Sequence, residues 1–188
     1  MSAPKILYAL GLTLAFISCS DDEVNNKFYN LRAYLIIENV LGTPLHIACE
    51  NWGEFCSITN DGSHLILTDA SNKNLPINIP AEFDYHHYNM GLSSGYIVGL
   101  PAIPEIGKDV AEVVCYDRAC SNCNQNDYIV YPLKFILQSH GYAKCDRCNR
   151  TYNLNDYGII SDGPGGRPLY RYRVYYYSSP YFRLRIEN

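Results

Sequence analysis

At 188 residues with a net charge of −4, the chain is long enough for one domain with a real core, and its acidic balance argues against nucleic acid as a partner. Eighteen tyrosines, thirteen glycines and ten prolines favour β-structure with many turns. The sequence holds no Gly-x-Ser-x-Gly motif, phosphate-binding loop or dinucleotide fingerprint, no internal repeat and no long amphipathic helical pattern.

Taken from the N-terminus, Lys5 precedes an unbroken apolar or small run, Ile6 to Ile17, of 12 residues. That is too short to span a bilayer as a helix and fits the core of a signal peptide, expected over residues 1–18. Phe16-Ile17-Ser18-Cys19 resembles a bacterial lipobox. In that reading Cys19 is lipidated after cleavage, and its acyl chains anchor the protein to a membrane of the cell envelope, the outer membrane being expected. An ordinary secretory signal followed by a stray cysteine is the alternative. Residues 19–30 then form an acidic tether. Ser20-Asp21-Asp22-Glu23 resembles the surface-export signal of some Gram-negative lipoproteins, and the periplasmic and surface faces both stay open. Losing Lys5 with the signal leaves fourteen basic against nineteen acidic side chains, a net charge of −5. An exported chain meets oxidising conditions, so disulfides are permitted.

Residues 31–188 are expected to form a single β domain. Leu31 to Ile37 reads as a strand that Leu41-Gly42-Thr43-Pro44 breaks, and His46 to Phe55 fits no element clearly. Ser63 to Thr68 is a second strand behind the turn Asn60-Asp61-Gly62. Leu75 to Pro80 alternates but carries prolines, which places it at an edge or in a loop. Ser94 to Leu100 and Ala111 to Asp117 are strands, and Tyr128 to Leu137 supplies further apolar strand material. Thr151 to Leu154 and Gly158 to Ile160 read as a short hairpin. Leu169 to Tyr177 alternates cleanly and pairs back, after Ser178-Ser179-Pro180, with Tyr181 to Ile186. On that hairpin Leu169, Arg171 and Arg173 share one face and Tyr170, Tyr172 and Val174 the other. The arginines are expected on a solvated face rather than in a basic patch.

The cysteines carry the chemistry. Cys120-Ser121-Asn122-Cys123 and Cys145-Asp146-Arg147-Cys148 are two knuckles in the spacing C-x2-C-x21-C-x2-C. Two close pairs on separate loops are what a tetrahedral thiolate site needs, because each pair grips one edge of the ion. Three occupants compete: zinc in an all-thiolate structural site, an all-cysteine [2Fe–2S] cluster, and a pair of disulfides. Cys49 and Cys56, with six residues between them including Trp52-Gly53, are candidates for a small disulfide loop or for two buried thiols, and Cys115 is left over. His140 lies five residues before Cys145, with a place behind the ligands or unrelated to them expected. Asp84-Tyr85-His86-His87-Tyr88 reads as a polar rim, since neighbouring strand positions point to opposite faces. Gly163-Pro164-Gly165-Gly166 lacks the Lys-Ser/Thr of a phosphate loop and is expected to cover the cysteine site.

These features occur in an order that resembles a Rieske-type domain over residues 94–188. The stretches that carry the resemblance are Val114 to Cys120, then Cys145-Asp146-Arg147-Cys148 followed by Tyr152-Asn153-Leu154, then Gly163 to Leu169 leading into the terminal hairpin. The chain is similar in particular to Rieske-like lipoproteins that have lost the family's histidines. The resemblance implies an all-β fold, an antiparallel β-sandwich of Rieske type with a zinc-ribbon-like cluster-binding subdomain. The family pattern is C-x-H on the first loop and C-x-x-H on the second; here Asn122 and Cys148 stand at the histidine positions. An all-cysteine cluster is expected to have a potential on the order of several hundred millivolts below a two-histidine one. The expectation is therefore a non-enzymatic lipoprotein with a structural metal at Cys120, Cys123, Cys145 and Cys148. Its alternatives are an electron carrier with an atypical cluster, whose redox partner is unspecified, and a disulfide-stabilised binding module.

Overall fold

A computed structural model of the chain describes residues 28–79, 90–92, 94–137 and 139–188. The expected signal peptide, Cys19, most of the tether and the His86-His87 cluster lie outside the described residues.

Among the described residues the fold is all-β and antiparallel, as expected, with two short helices. An eight-stranded sheet has the order β1 (Tyr34–Ile37), β12 (Arg183–Glu187), β11 (Arg171–Tyr177), β6 (Val114–Asp117), β5 (Tyr96–Leu100), β2 (Glu54–Asn60), β3 (His64–Thr68), β4 (Asn74–Asn78). A four-stranded sheet has the order β10 (Ile159–Asp162), β9 (Thr151–Asn153), β8 (Tyr142–Lys144), β7 (Lys134–Phe135). Pro76 sits in β4, at the edge of the large sheet, where its missing N–H breaks no ladder. Leu184 and Ile186 of β12 are buried and alternate with Arg183, Arg185 and Glu187, so the side-chain period of two sets which face is wet.

Two cores lie on opposite faces of the central strands. The first gathers Leu35 and Ile37 from β1, Leu65 and Leu67 from β3, and Cys56, Tyr96, Val98 and Tyr172 between them. Both ends of the large sheet meet in this core, so the sheet curls around it. The second gathers Phe55, Ile97, Val114 and Tyr116 from the outer face of the same strands with Ala143, Tyr152 and Leu154 from the small sheet. β5 is covered on both sides, and all five of its residues are buried. This is why it reads as a continuous apolar run rather than an alternating one.

Several expectations change. The segment around His46 is a helix, α1 (Pro44–Glu50). Thr43 caps it, its hydroxyl accepting the His46 N–H, and Pro44 follows in the first turn, where a missing N–H costs nothing. Cys49 on α1 and Cys56 on β2 are free thiols rather than a disulfide, and Cys115 on β6 is free as well. All three sit in the first core. Burial pushes the Cys49 thiol up to about 12 and the Cys56 and Cys115 thiols upward too. Protonated, buried thiols are inert toward exchange. Of Tyr128 to Leu137 only Lys134 and Phe135 form a strand. The stretch before them ends a second helix, α2 (Ser121–Asp127), with Tyr128 in the left-handed region at φ 55°. The hairpin of β11 and β12 forms in the expected antiparallel register, but its arginine face is divided. Arg173 is exposed, whereas the Arg171 side chain is only 11% exposed.

Candidate metal centre

The first knuckle is built by β6. The strand ends at Asp117, which is fully buried and accepts hydrogen bonds from the Leu92 and Ala119 N–H groups and the Tyr172 hydroxyl. Burial nevertheless raises the Asp117 carboxyl, ahead of the lowering effect of those bonds. Held by this anchor, the chain turns into α2. Cys120 is the N-cap residue and Cys123 lies in the first turn. The Cys120 N–H reaches the Tyr131 carbonyl and the Leu133 N–H the Arg118 carbonyl, so the return segment clamps the knuckle from below.

The second knuckle is the connection between β8 and β9. The Cys145 N–H donates to the Arg150 carbonyl, closing a tight loop over Asp146, Arg147 and Cys148. Asn149 takes the left-handed conformation at φ 55° that lets the chain reverse. Ion pairs Lys134–Asp146 and Arg147–Asp127 join this loop to the segments around the first knuckle.

The two knuckles bring four sulfurs together. Cys120 Sγ is 3.6 Å from Cys148 Sγ, and Cys123 Sγ is 3.7 Å from Cys145 Sγ. All four atoms lie within 4.8 Å of one another. Cys120, Cys123 and Cys145 are buried and Cys148 is half-buried. The 3.6 and 3.7 Å contacts are far longer than an S–S bond of about 2.05 Å, and all four are free cysteines. The expected ligand set is therefore assembled in full, as a group that could hold a metal ion.

The surroundings treat the sulfurs unequally. Burial raises the Cys123 thiol, and raises the Cys145 thiol to about 11. Burial also pushes Cys148 up, but hydrogen bonds from the Arg150 guanidinium and backbone outweigh it and bring this thiol down to about 7. A cation beside a cysteine stabilises thiolate, the form that binds metal. Tyr152 places its hydroxyl 3.2 Å from Cys120 Sγ.

The Gly-Pro loop covers the site, as expected, and the means are specific. The Arg150 guanidinium donates to the carbonyls of Pro164 and Gly165, which ties the loop to the second knuckle. The Asn122 amide donates to the Arg167 carbonyl and to the Tyr152 hydroxyl, and its oxygen accepts the Arg167 N–H. That ties the loop to the first knuckle. Asn122 thus stands inside the site as an organiser of backbone and tyrosine rather than as a ligand. Spacing alone marks neither Tyr152 nor Arg150; the sequence signals are their closeness to Cys148 and, for Tyr152, its place in the Tyr152-Asn153-Leu154 stretch of the Rieske resemblance. His140 is exposed, pairs with Glu54 at 3.0 Å and does not belong to the four-cysteine group.

No protein-family profile and no curated protein matches this chain. Fold and site together define a class: an antiparallel all-β protein with a buried four-cysteine group capable of holding a metal ion.

Proposed function

We propose that Cys120, Cys123, Cys145 and Cys148 hold one zinc ion, and that its role is structural. The carrying observation is the sulfur geometry. A Zn–S bond of about 2.3 Å in a tetrahedron gives sulfur–sulfur edges of about 3.8 Å. The observed 3.6 and 3.7 Å contacts, with no pair beyond 4.8 Å, suit one ion at the centre. A [2Fe–2S] cluster divides its four cysteines between two irons and needs the two pairs to stand further apart. Bound zinc would tie α2 to the β8–β9 turn and contribute folding free energy, on the order of ten kcal/mol in small zinc peptides.

The order of knuckles, Gly-Pro loop and terminal hairpin supports a Rieske-like frame for residues 94–188, with the redox chemistry of that frame replaced by a staple. The apolar run Ile6 to Ile17, followed by Ser18-Cys19, supports an envelope lipoprotein, testable by palmitate labelling of the wild type beside Cys19→Ala.

Metal analysis with a thiol count tests the zinc reading. The expected sample is colourless, carries one zinc per chain, and gains four reactive thiols when the metal is released. A reddish-brown protein bleached by dithionite, or four cysteines lost to disulfides in the intact protein, overturns it.

A further inference from the structure

Arg171 is largely buried, and its Nε, like those of Arg183 and Arg185, has no hydrogen-bond partner among the described residues. Its side chain is 11% exposed, and its closest carboxylate, Glu105, stands 3.7 Å from Nη1. No hydrogen bond to the guanidinium is found among the described residues, and the buried Nε has no partner. The group lies between two tyrosine rings, with Cζ 5.9 Å from the centroid of Tyr116 and 5.4 Å from that of Tyr157. Both hydroxyls are engaged elsewhere, Tyr116 donating to the Leu154 carbonyl and Tyr157 accepting the Ile106 N–H. The rings therefore hold the guanidinium plane without satisfying its donors. Burying a charge with so few hydrogen bonds is costly, and a group left in that state calls for a reason.

The reason lies in the cleft beside it. Arg171 lines a hollow of about 350 Å³ together with Ile103, Val113 and Val174 on its apolar side. That volume is within the range of small-molecule sites. Lys108 of the same hollow is paired with both Glu105 and Glu112. Arg173, also in the lining, stacks over Phe28 at 5.1 Å and makes no ion pair among the described residues. Glu105 also faces Arg171 at 3.7 Å, so the two glutamates of the hollow offset two of its three cations, and one positive charge is left over beside the apolar wall. A planar guanidinium fork is shaped for a carboxylate.

The geometry points to a binding site for a small organic carboxylate with an apolar body, its carboxylate on the Arg171 guanidinium and its body against Ile103, Val113 and Val174. The site is separate from the four-cysteine group and does not depend on which metal that group holds.

The test titrates the full purified chain with phenylacetate, its neutral amide phenylacetamide, and inorganic phosphate, followed by calorimetry and by the Arg171 Nε–H resonance. Phenylacetate is expected to saturate with a Kd on the order of 1 mM, the range open to a fragment of this size. The amide and phosphate are expected to bind at least about tenfold more weakly, since each lacks one half of the recognition. Arg171→Gln should weaken phenylacetate by about tenfold or more. Should that variant fail to fold, Ile103→Glu decides, because Ile103 is 62% exposed and its replacement sets a repelling charge in the cleft without disturbing a core. It should melt with the wild type and bind phenylacetate several-fold more weakly. Equal binding of acid and amide, equal or tighter binding of phosphate, no saturation by about 10 mM, or a folded variant that binds like the wild type overturns the site.

Discussion

The Tyr152 hydroxyl sits 3.2 Å from Cys120 Sγ and at the same time accepts the Asn122 amide at 2.9 Å. One phenol thus links a candidate ligand to the residue that secures the covering loop. A hydrogen bond to a thiolate spreads its charge, and groups behind the ligands hold ligand orientation. Tyr152→Phe is therefore expected to lower zinc affinity by roughly tenfold and stability by about 1 kcal/mol, read by competition with a chromogenic chelator and by urea unfolding. Unchanged affinity would show that the contact is incidental.

Metal removal should act locally. The second core contains Cys120, Cys123 and Cys145, while the first core contains none of the four. Chelation is expected to release amide protection first in α2, the β8–β9 turn and the loop at Gly163, with β2, β5 and β12 protected longer, as hydrogen exchange would register. Simultaneous loss of protection everywhere would mean that the two cores form a single cooperative unit.

The two classes of cysteine should separate under substitution. Cys148→Ser removes the half-buried member of the sulfur group and should abolish stoichiometric zinc. Cys49→Ala removes a thiol from the first core, costs about 1 kcal/mol, and leaves the metal content at one per chain. Metal analysis of both variants checks this, and zinc loss in Cys49→Ala would join the two sites.

Gly166 stands against the Asn122 side chain so closely that a Cβ there would collide with the amide. Gly166→Ala should push the loop from the first knuckle, cost about 1–3 kcal/mol as overpacking does, and speed zinc release to a chelator. Gly165, where a Cβ meets nothing within 4 Å, is the control: its alanine variant should release zinc at the wild-type rate.

Asp117 gives a pH signature. Its carboxyl is raised in the folded chain, chiefly by burial. A raised folded value means that the protonated form is favoured by folding. Its contribution is present in full below the unfolded carboxylate value, about 3.9, and is lost as pH rises through the folded value. Asp117→Asn should therefore be most destabilising relative to wild type near pH 4, with the difference shrinking toward neutrality. Denaturation of both proteins across pH 4 to 7 measures it, and a difference that grows with pH would reverse the assignment.

Much of this protein is legible in local pattern. The C-x2-C pairs name the four sulfurs because knuckle geometry is set within four residues. The period-two alternation of β12 and the proline of β4 give face and edge, because strand pleat and the missing proline N–H are local properties. α1 escaped because seven residues, Pro44–Glu50, are too few for a helical period to show. α2 escaped because its sequence, SNCNQND, has no apolar stripe and is held by the knuckle rather than by amphipathic burial. The fate of Cys49, Cys56 and Cys115 was likewise not local. They are free thiols gathered in one apolar core by the curled sheet. Arg171 makes the distinction most sharply. Alternation places it on the hairpin's outer face with Arg173, yet β11 pairs with β6 so that Arg171 lies opposite Tyr116, and the turn after β9 brings Tyr157 against it. Which side chains share a strand face and which cysteines form knuckles follows from spacing along the chain. Which of those faces are covered follows from pairings between segments far apart in the chain, and spacing does not specify these.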